Sequence, residues 1–85
     1  MSDQPPYVVI ESQKFLRKAR RISGSFQRWD EVKRTIDLDL ARNPHIFQKI
    51  PGHELYGVII PLDPPRVLYF TVNDQKQQIR LEDIE

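Results

Sequence analysis

The 85-residue chain contains no cysteine, which excludes a disulfide framework and a thiolate metal site and is compatible with a reducing cytosol. No apolar run approaches the ~20 residues needed to span a bilayer. The opening Met1-Ser2-Asp3-Gln4-Pro5-Pro6 has no apolar signal-peptide core, so a cytoplasmic location is expected. Charge of one sign is not in excess either: 13 Lys and Arg oppose 12 Asp and Glu, for a net +1. Overall charge therefore selects no polyanionic partner. Internal repeats and low-complexity segments are missing. A chain of this size buries only roughly 60–65% of its unfolded surface, so modest stability is expected.

The charges that are present are unevenly placed. Lys14, Arg17, Lys18, Arg20 and Arg21 fall within eight residues, whereas Glu82, Asp83 and Glu85 make the C-terminal end acidic. Local clustering of this kind, unlike net charge, attracts a polyanion. The basic cluster has two readings: contact with RNA or an acidic partner, or a solvated helix face whose long stems cover apolar edges. It has no interleaved aromatics, which argues against single-strand binding by base stacking.

Periodicity gives the elements. Residues 1–6 read as a disordered lead-in to a domain over 7–85, since two prolines and polar neighbours bury nothing. Tyr7 to Glu11 is β-branched and aromatic, a short strand. Ser12 can cap a helix in which Phe15, Leu16, Ala19 and Ile22 recur at helical spacing. Ser23-Gly24-Ser25 breaks it. A second helix runs from about Phe26 to Arg42 on the stripe Phe26, Trp29, Val32, Ile36 and Leu40, with Leu38 on the far side. Asn43-Pro44 stops it. Leu55 to Leu62 is a dense apolar strand ending near Pro61. Arg66 to Asn73 alternates Val67, Tyr69 and Thr71 on one face with Leu68, Phe70 and Val72 on the other. Asn73 to Lys76 is a turn, and Gln78 to Ile84 is a last strand. The order β-α-α-β-β-β implies an α+β domain, with two helices packed on a mainly antiparallel four-stranded sheet.

These segments together resemble the RelE/ParE superfamily of type II toxin–antitoxin toxins. The resemblance rests on Ser12 to Leu16 opening the first helix, and on Leu40-Ala41-Arg42-Asn43-Pro44 against the family's Leu-x-x-Asn-Pro. It rests also on the Lys49-Ile50-Pro51-Gly52 turn, on Tyr56 in the next strand, and on Arg66-Val67-Leu68-Tyr69-Phe70-Thr71-Val72 against Tyr-Arg-Ile-x-Tyr. It implies the RelE-like fold, an antitoxin protein as partner, and contact with ribosome and mRNA. It also implies metal-independent, cofactor-free cleavage of mRNA (mRNA interferase activity), in which basic side chains stabilise charge at the scissile phosphate.

The resemblance carries Arg66 over as the arginine opening the third strand. The basic positions of the preceding strand fall on Gly57 and Ile59, and the further basic residue and Tyr or His after the last strand give way to Glu82, Asp83 and Glu85. Each lost charge-stabilising group costs roughly 10²–10³ in rate, so ribosome-dependent cleavage is expected to be weak or lost. Two further readings stay open. One is a non-catalytic protein-binding adaptor. The other is a metal-independent ribonuclease relocated to Lys49, His53, Tyr56 and Arg66, with His53 the favoured acid–base group beside Tyr56 and Lys49. Against it, Arg66 could equally pair with Asp63, Asp74 or Glu82, His45 and His53 read as ordinary loop histidines, and Tyr56 and Tyr69 as packed sheet residues. The wide spacing of the two histidines, with no third His and no Cys, argues against a metal.

Overall fold

A computed structural model describes residues 6–85; the rest of the expected lead-in lies outside the described residues. Strand β1 (Val8–Glu11) leads into α1 (Gln13–Ser23) and α2 (Phe26–Arg42), and a 3-10 turn at Pro44–Ile46 follows. Strands β2 (Gln48–Lys49), β3 (Tyr56–Ile60), β4 (Arg66–Asn73) and β5 (Gln78–Ile84) complete the chain. The sheet order is β1-β5-β4-β3-β2. β1 runs parallel to β5, and every other neighbour is antiparallel. The sheet therefore has five strands, not the four expected. The extra one, β2, is two residues that pair with Tyr56 and Gly57 across the Pro51-Gly52 turn.

Local chemistry sets the helix ends. The Ser12 hydroxyl accepts from the Phe15 amide (3.1 Å) and the Ser25 hydroxyl from the Arg28 amide (3.0 Å), each satisfying a donor the helix cannot. Gly24 closes α1 in the left-handed conformation at φ 95°, where a Cβ would be strained. Both helices lie on one face of the sheet. Phe15, Ala19, Trp29, Val32, Ile36 and Leu40 meet Ile60, Leu68, Phe70, Ile79, Leu81 and Ile84 in one buried cluster. Trp29 packs edge-on to Phe15 with ring centroids 5.7 Å apart. Leu38 is exposed, as its place opposite the stripe requires.

Two polar features inside this frame position everything else. At the end of β1, Glu11 accepts from the Trp29 indole (3.1 Å) and pairs with Lys33 (2.8 Å). Burial pulls the Lys33 ammonium down, but the Glu11 and Asp37 carboxylates more than offset this and leave its pKa raised. In β5 the register slips: Phe70 faces Leu81 and Tyr69 faces Asp83, so Glu82 is an extra residue. Such a bulge bends a strand and re-aims its side chains. Here Glu82 stays on the face without helices, bonded by Thr71 (2.8 Å), and Asp83 reaches Lys18 on α1 (2.7 Å).

Removing the Glu11 carboxylate would leave an indole N–H and an ammonium short of partners at a mostly buried joint. Glu11→Ala is expected to cost about 2–4 kcal/mol, and Glu11→Gln, which keeps an acceptor for the indole but loses the charge facing Lys33, about 1–2 kcal/mol. Urea denaturation of both variants checks the order; an equal or smaller loss for Glu11→Ala would contradict it.

Candidate functional site

Strand parity sorts the open face from the helix side. Ile59 pairs with Val67 and Gly57 with Tyr69, and these alternate with the buried row, so all four stand on the face that carries no helix. Ile59 is 71% exposed. A Cβ on Gly57 would meet Ile50 Cδ1 at 3.3 Å, Val67 Cγ1 at 3.6 Å and Tyr69 Cε1 at 3.8 Å. The open face is thus partly packed by the β2–β3 hairpin, with glycine where that hairpin lies close. A cleft of about 280 Å³ lies beside it, lined by Ile50, His53, Leu55, Tyr69, Glu82, Asp83 and Glu85. No Lys or Arg lines it.

The residues named together as a relocated site do not converge. Arg66 pairs with buried Ile60 and alternates with Leu68 and Phe70, which puts it at the end of the helix-side row. Tyr56 lies four register steps away, opposite Phe70, or roughly 14 Å along the strand. Among the described residues no ion pair forms between Arg66 and Asp63, Asp74 or Glu82. Lys49 is the register partner of Tyr56, and its ammonium meets Glu54 (3.4 Å). His53 lies in the hairpin turn, its amide donating to the Ile50 carbonyl (3.2 Å), and its side chain lines the open-face cleft.

The histidine that reaches Tyr56 is His45. Its Nδ1 is 2.9 Å from the Tyr56 hydroxyl and its Nε2 2.7 Å from Asp74 Oδ1. The Tyr7 hydroxyl also donates to Asp74 Oδ1 (2.6 Å). Those bonds from Tyr7 and then His45 hold the Asp74 carboxyl below its usual range, while the same carboxylate raises the Tyr7 phenol. Nε2 donates to the ionised Asp74, and in the neutral imidazole Nδ1 accepts a hydrogen bond from the Tyr56 hydroxyl. Sequence spacing gave no sign of this cluster, because its members lie on four separate segments.

The basic cluster divides in two. Lys14, Arg17, Lys18 and Arg21 follow i, i+3, i+4, i+7 spacing, one stripe of α1, and they line a groove of about 710 Å³ against Arg80, Glu82 and Asp83 of β5. Arg20 points elsewhere: its guanidinium lies 4.0 Å above the Phe26 ring. The sequence reading counted Arg20 with the rest, although helical spacing offered the signal to set it apart. Arg80 is a cation of this groove that the sequence reading did not include.

No protein-family model matches the chain, and no curated protein matches it in sequence. Among solved structures, the double arginine-to-alanine mutant of the E. coli toxin RelE, in its free state, superposes with a TM-score of 0.70. The match covers 93% of this chain and 81% of that one at 12% identity. This chain has the RelE-like fold. At that identity the likeness is one of backbone architecture: two helices on one face of a mostly antiparallel sheet, with the other face open. The RelE-like fold of this chain presents an apolar and acidic open face, and its cations gather beside α1.

In the groove, the hydrogen bond from Lys18 holds the Asp83 carboxyl below its ordinary value, with a smaller contribution from the Ile84 amide. A depressed folded pKa contributes stability that is complete above the unfolded value of ~3.9 and is lost as pH falls through the folded one. Asp83→Asn is therefore expected to flatten the acid limb of stability below about pH 4. Urea midpoints from pH 2 to 7 read this directly, and an unchanged acid limb would show that the pair contributes nothing.

Proposed function

We propose that this chain is a RelE-like toxin component of a type II toxin–antitoxin system in which ribosome-dependent mRNA cleavage is lost, so that it acts by binding protein. The observation that carries this reading is the open sheet face. Cleaving a phosphodiester without a metal requires donors and cations aimed at the charge that develops on phosphorus. The open face offers Gly57, Ile59, Val67 and Tyr69, and the adjoining cleft adds Glu82, Asp83 and Glu85. Carboxylates there raise the energy of a phosphate before any chemistry begins. Each absent donor removes roughly 10²–10³ in rate, so the combined loss leaves no cleavage of biological use. Antitoxin recognition needs only exposed surface, strand edges and complementary charge, which this fold retains.

A second reading is favoured by one specific contact. Tyr56, His45 and Asp74 form a hydrogen-bonded series in which a carboxylate orients an imidazole and the imidazole accepts from a hydroxyl. Arrangements of this type move protons in acid–base catalysis. On this reading the chain is a metal-independent ribonuclease with a relocated site, in which His45 and Asp74 stand beside Tyr56 and Lys49 where the sequence pointed to His53 and Arg66.

Induced expression in a bacterial host, with growth and transcript integrity followed together, separates the two. Unimpaired growth with intact transcripts is the expected outcome. Arrest with cuts confined to translated messages would refute the lead reading. Cuts in free RNA that vanish in His45→Gln would establish the second.

A further inference from the structure

Three open-face residues stand in one row across the sheet. Val67 pairs with Ile59 on β3, and the amide and carbonyl of Glu85 both bond to Val67 (2.9 Å each). Directly opposed residues of an antiparallel pair share a face, so Ile59, Val67 and Glu85 lie side by side. Ile59 is the most exposed large apolar side chain among the described residues. Next along β4, the Tyr69 hydroxyl reaches the Glu85 carboxylate (3.4 Å). Glu82 lies beyond, accepting from the Thr71 hydroxyl (2.8 Å). Cations are scarce here. Among the described residues Glu85 makes no ion pair, and Arg80 comes no nearer to Glu82 than 4.0 Å.

Apolar and acidic groups set side by side select what can cover them. Removing Ile59 and Val67 from water is favourable. An apolar cover over Glu85 and Glu82 would strip two carboxylates of water without giving them a donor, which is costly. A nucleic acid would bring phosphate against them. The cover that suits both halves carries apolar side chains and Lys or Arg on one surface. It must also satisfy its own backbone, because a sheet face offers side chains and no free amide or carbonyl. A helix does so internally. The row from Ile59 to Glu85 crosses two strand spacings, about 10 Å, which is the width of one helix.

We infer that the open sheet face docks an amphipathic basic helix of a partner protein, with apolar side chains on Ile59 and Val67 and an arginine laid over Tyr69 to the Glu85 carboxylate. This deepens the protein-binding reading above and rests on it. A guanidinium suits the place, since it stacks on an aromatic ring while its N–H groups pair with a carboxylate. A second copy of the chain is a poor match. Its cationic stripe is Lys14, Arg17, Lys18 and Arg21, and nothing apolar stands within that stripe to meet Ile59.

The test uses the full chain and a fluorescein-labelled helical peptide of about 18 residues, with Leu along one face, Arg flanking it and Gln elsewhere. A twin peptide carries Glu for every Arg. Anisotropy at about pH 8, which keeps imidazoles neutral, is expected to show binding of the Arg peptide that weakens with salt. Ile59→Ser and Glu85→Lys should each lose roughly tenfold, while Leu38→Ser, at an exposed position of α2, should bind as the parent does. The Gly57 and Val67 amide resonances should shift when peptide is added. Circular dichroism melts confirm that these exposed substitutions leave the fold intact. Four outcomes overturn the inference: no binding of the Arg peptide, equal binding of the Glu twin, binding indifferent to both open-face variants, or self-association in sedimentation that Ile59→Ser abolishes. The peptide plays no part in the growth and transcript readout. A failed peptide therefore leaves the loss of cleavage standing, and cut transcripts leave the peptide result standing.

Discussion

The contact of Glu11 with Trp29 and Lys33 is the constraint on which the rest of the structure depends. A carboxylate at the end of an edge strand, largely hidden from water, is tolerable only with donors on it, and α2 supplies both an indole N–H and an ammonium. This ties the sheet's edge to the central core residue, Trp29. Ser12, the next residue, caps α1, so the joint also sets where that helix starts and in which direction it leaves. The stripe from Lys14 to Arg21 faces β5 because α1 departs from this point. Groove geometry is thus inherited from a buried joint that has no binding role of its own.

The bulge in β5 supplies the second half of the arrangement. One extra residue, Glu82, returns Ile84 to the buried row opposite Leu68, while the carboxylates before it find partners on separate elements. Glu82 takes the Thr71 hydroxyl on the open face, and Asp83 takes Lys18 on the helix side. In a regular strand Ile84 would turn away from the helix side, because successive side chains alternate by a fixed period of two. The acidic open-face cleft and the basic groove therefore share a wall, and the separation of charge between them is a property of strand register.

Much of this architecture was legible from residue spacing. The helix stripes, the Ser12 cap, the stop at Asn43-Pro44 and the alternation through Arg66–Asn73 are local, period-driven features, and they were readable for that reason. What escaped was non-local. β2 is two residues whose strand character exists only through pairing with β3. The bulge is a mismatch between two strands, invisible in either alone. His45 was passed over for His53 because closeness in sequence to Tyr56 stood in for closeness in space; the 3-10 turn after α2 brings the more distant histidine to the hydroxyl. Arg66 was read as a site residue from the resemblance alone, and parity puts it in the row of Leu68 and Phe70. Arg20 is a local miss: it was grouped with the stripe, although helical spacing places it on another side of α1.

The open face also limits where cations can stand. A cation placed at Ile59 meets no steric obstacle, since that position is exposed. Gly57 is different. A side chain there starts 3.3 Å from Ile50 Cδ1 and touches Val67 and Tyr69, so a lysine enters only if the Ile50 side chain gives way. Tyr69 in turn stands by Glu85, its hydroxyl 3.4 Å from a carboxylate oxygen, which would attract any cation installed nearby and compete with a phosphate for it. A single substitution cannot rebuild a charge-stabilising site on this face, because the apolar packing and the carboxylates occupy it together. The buried core of the RelE-like fold lies on the other side of the sheet, so the open face can vary in chemistry without disturbing it.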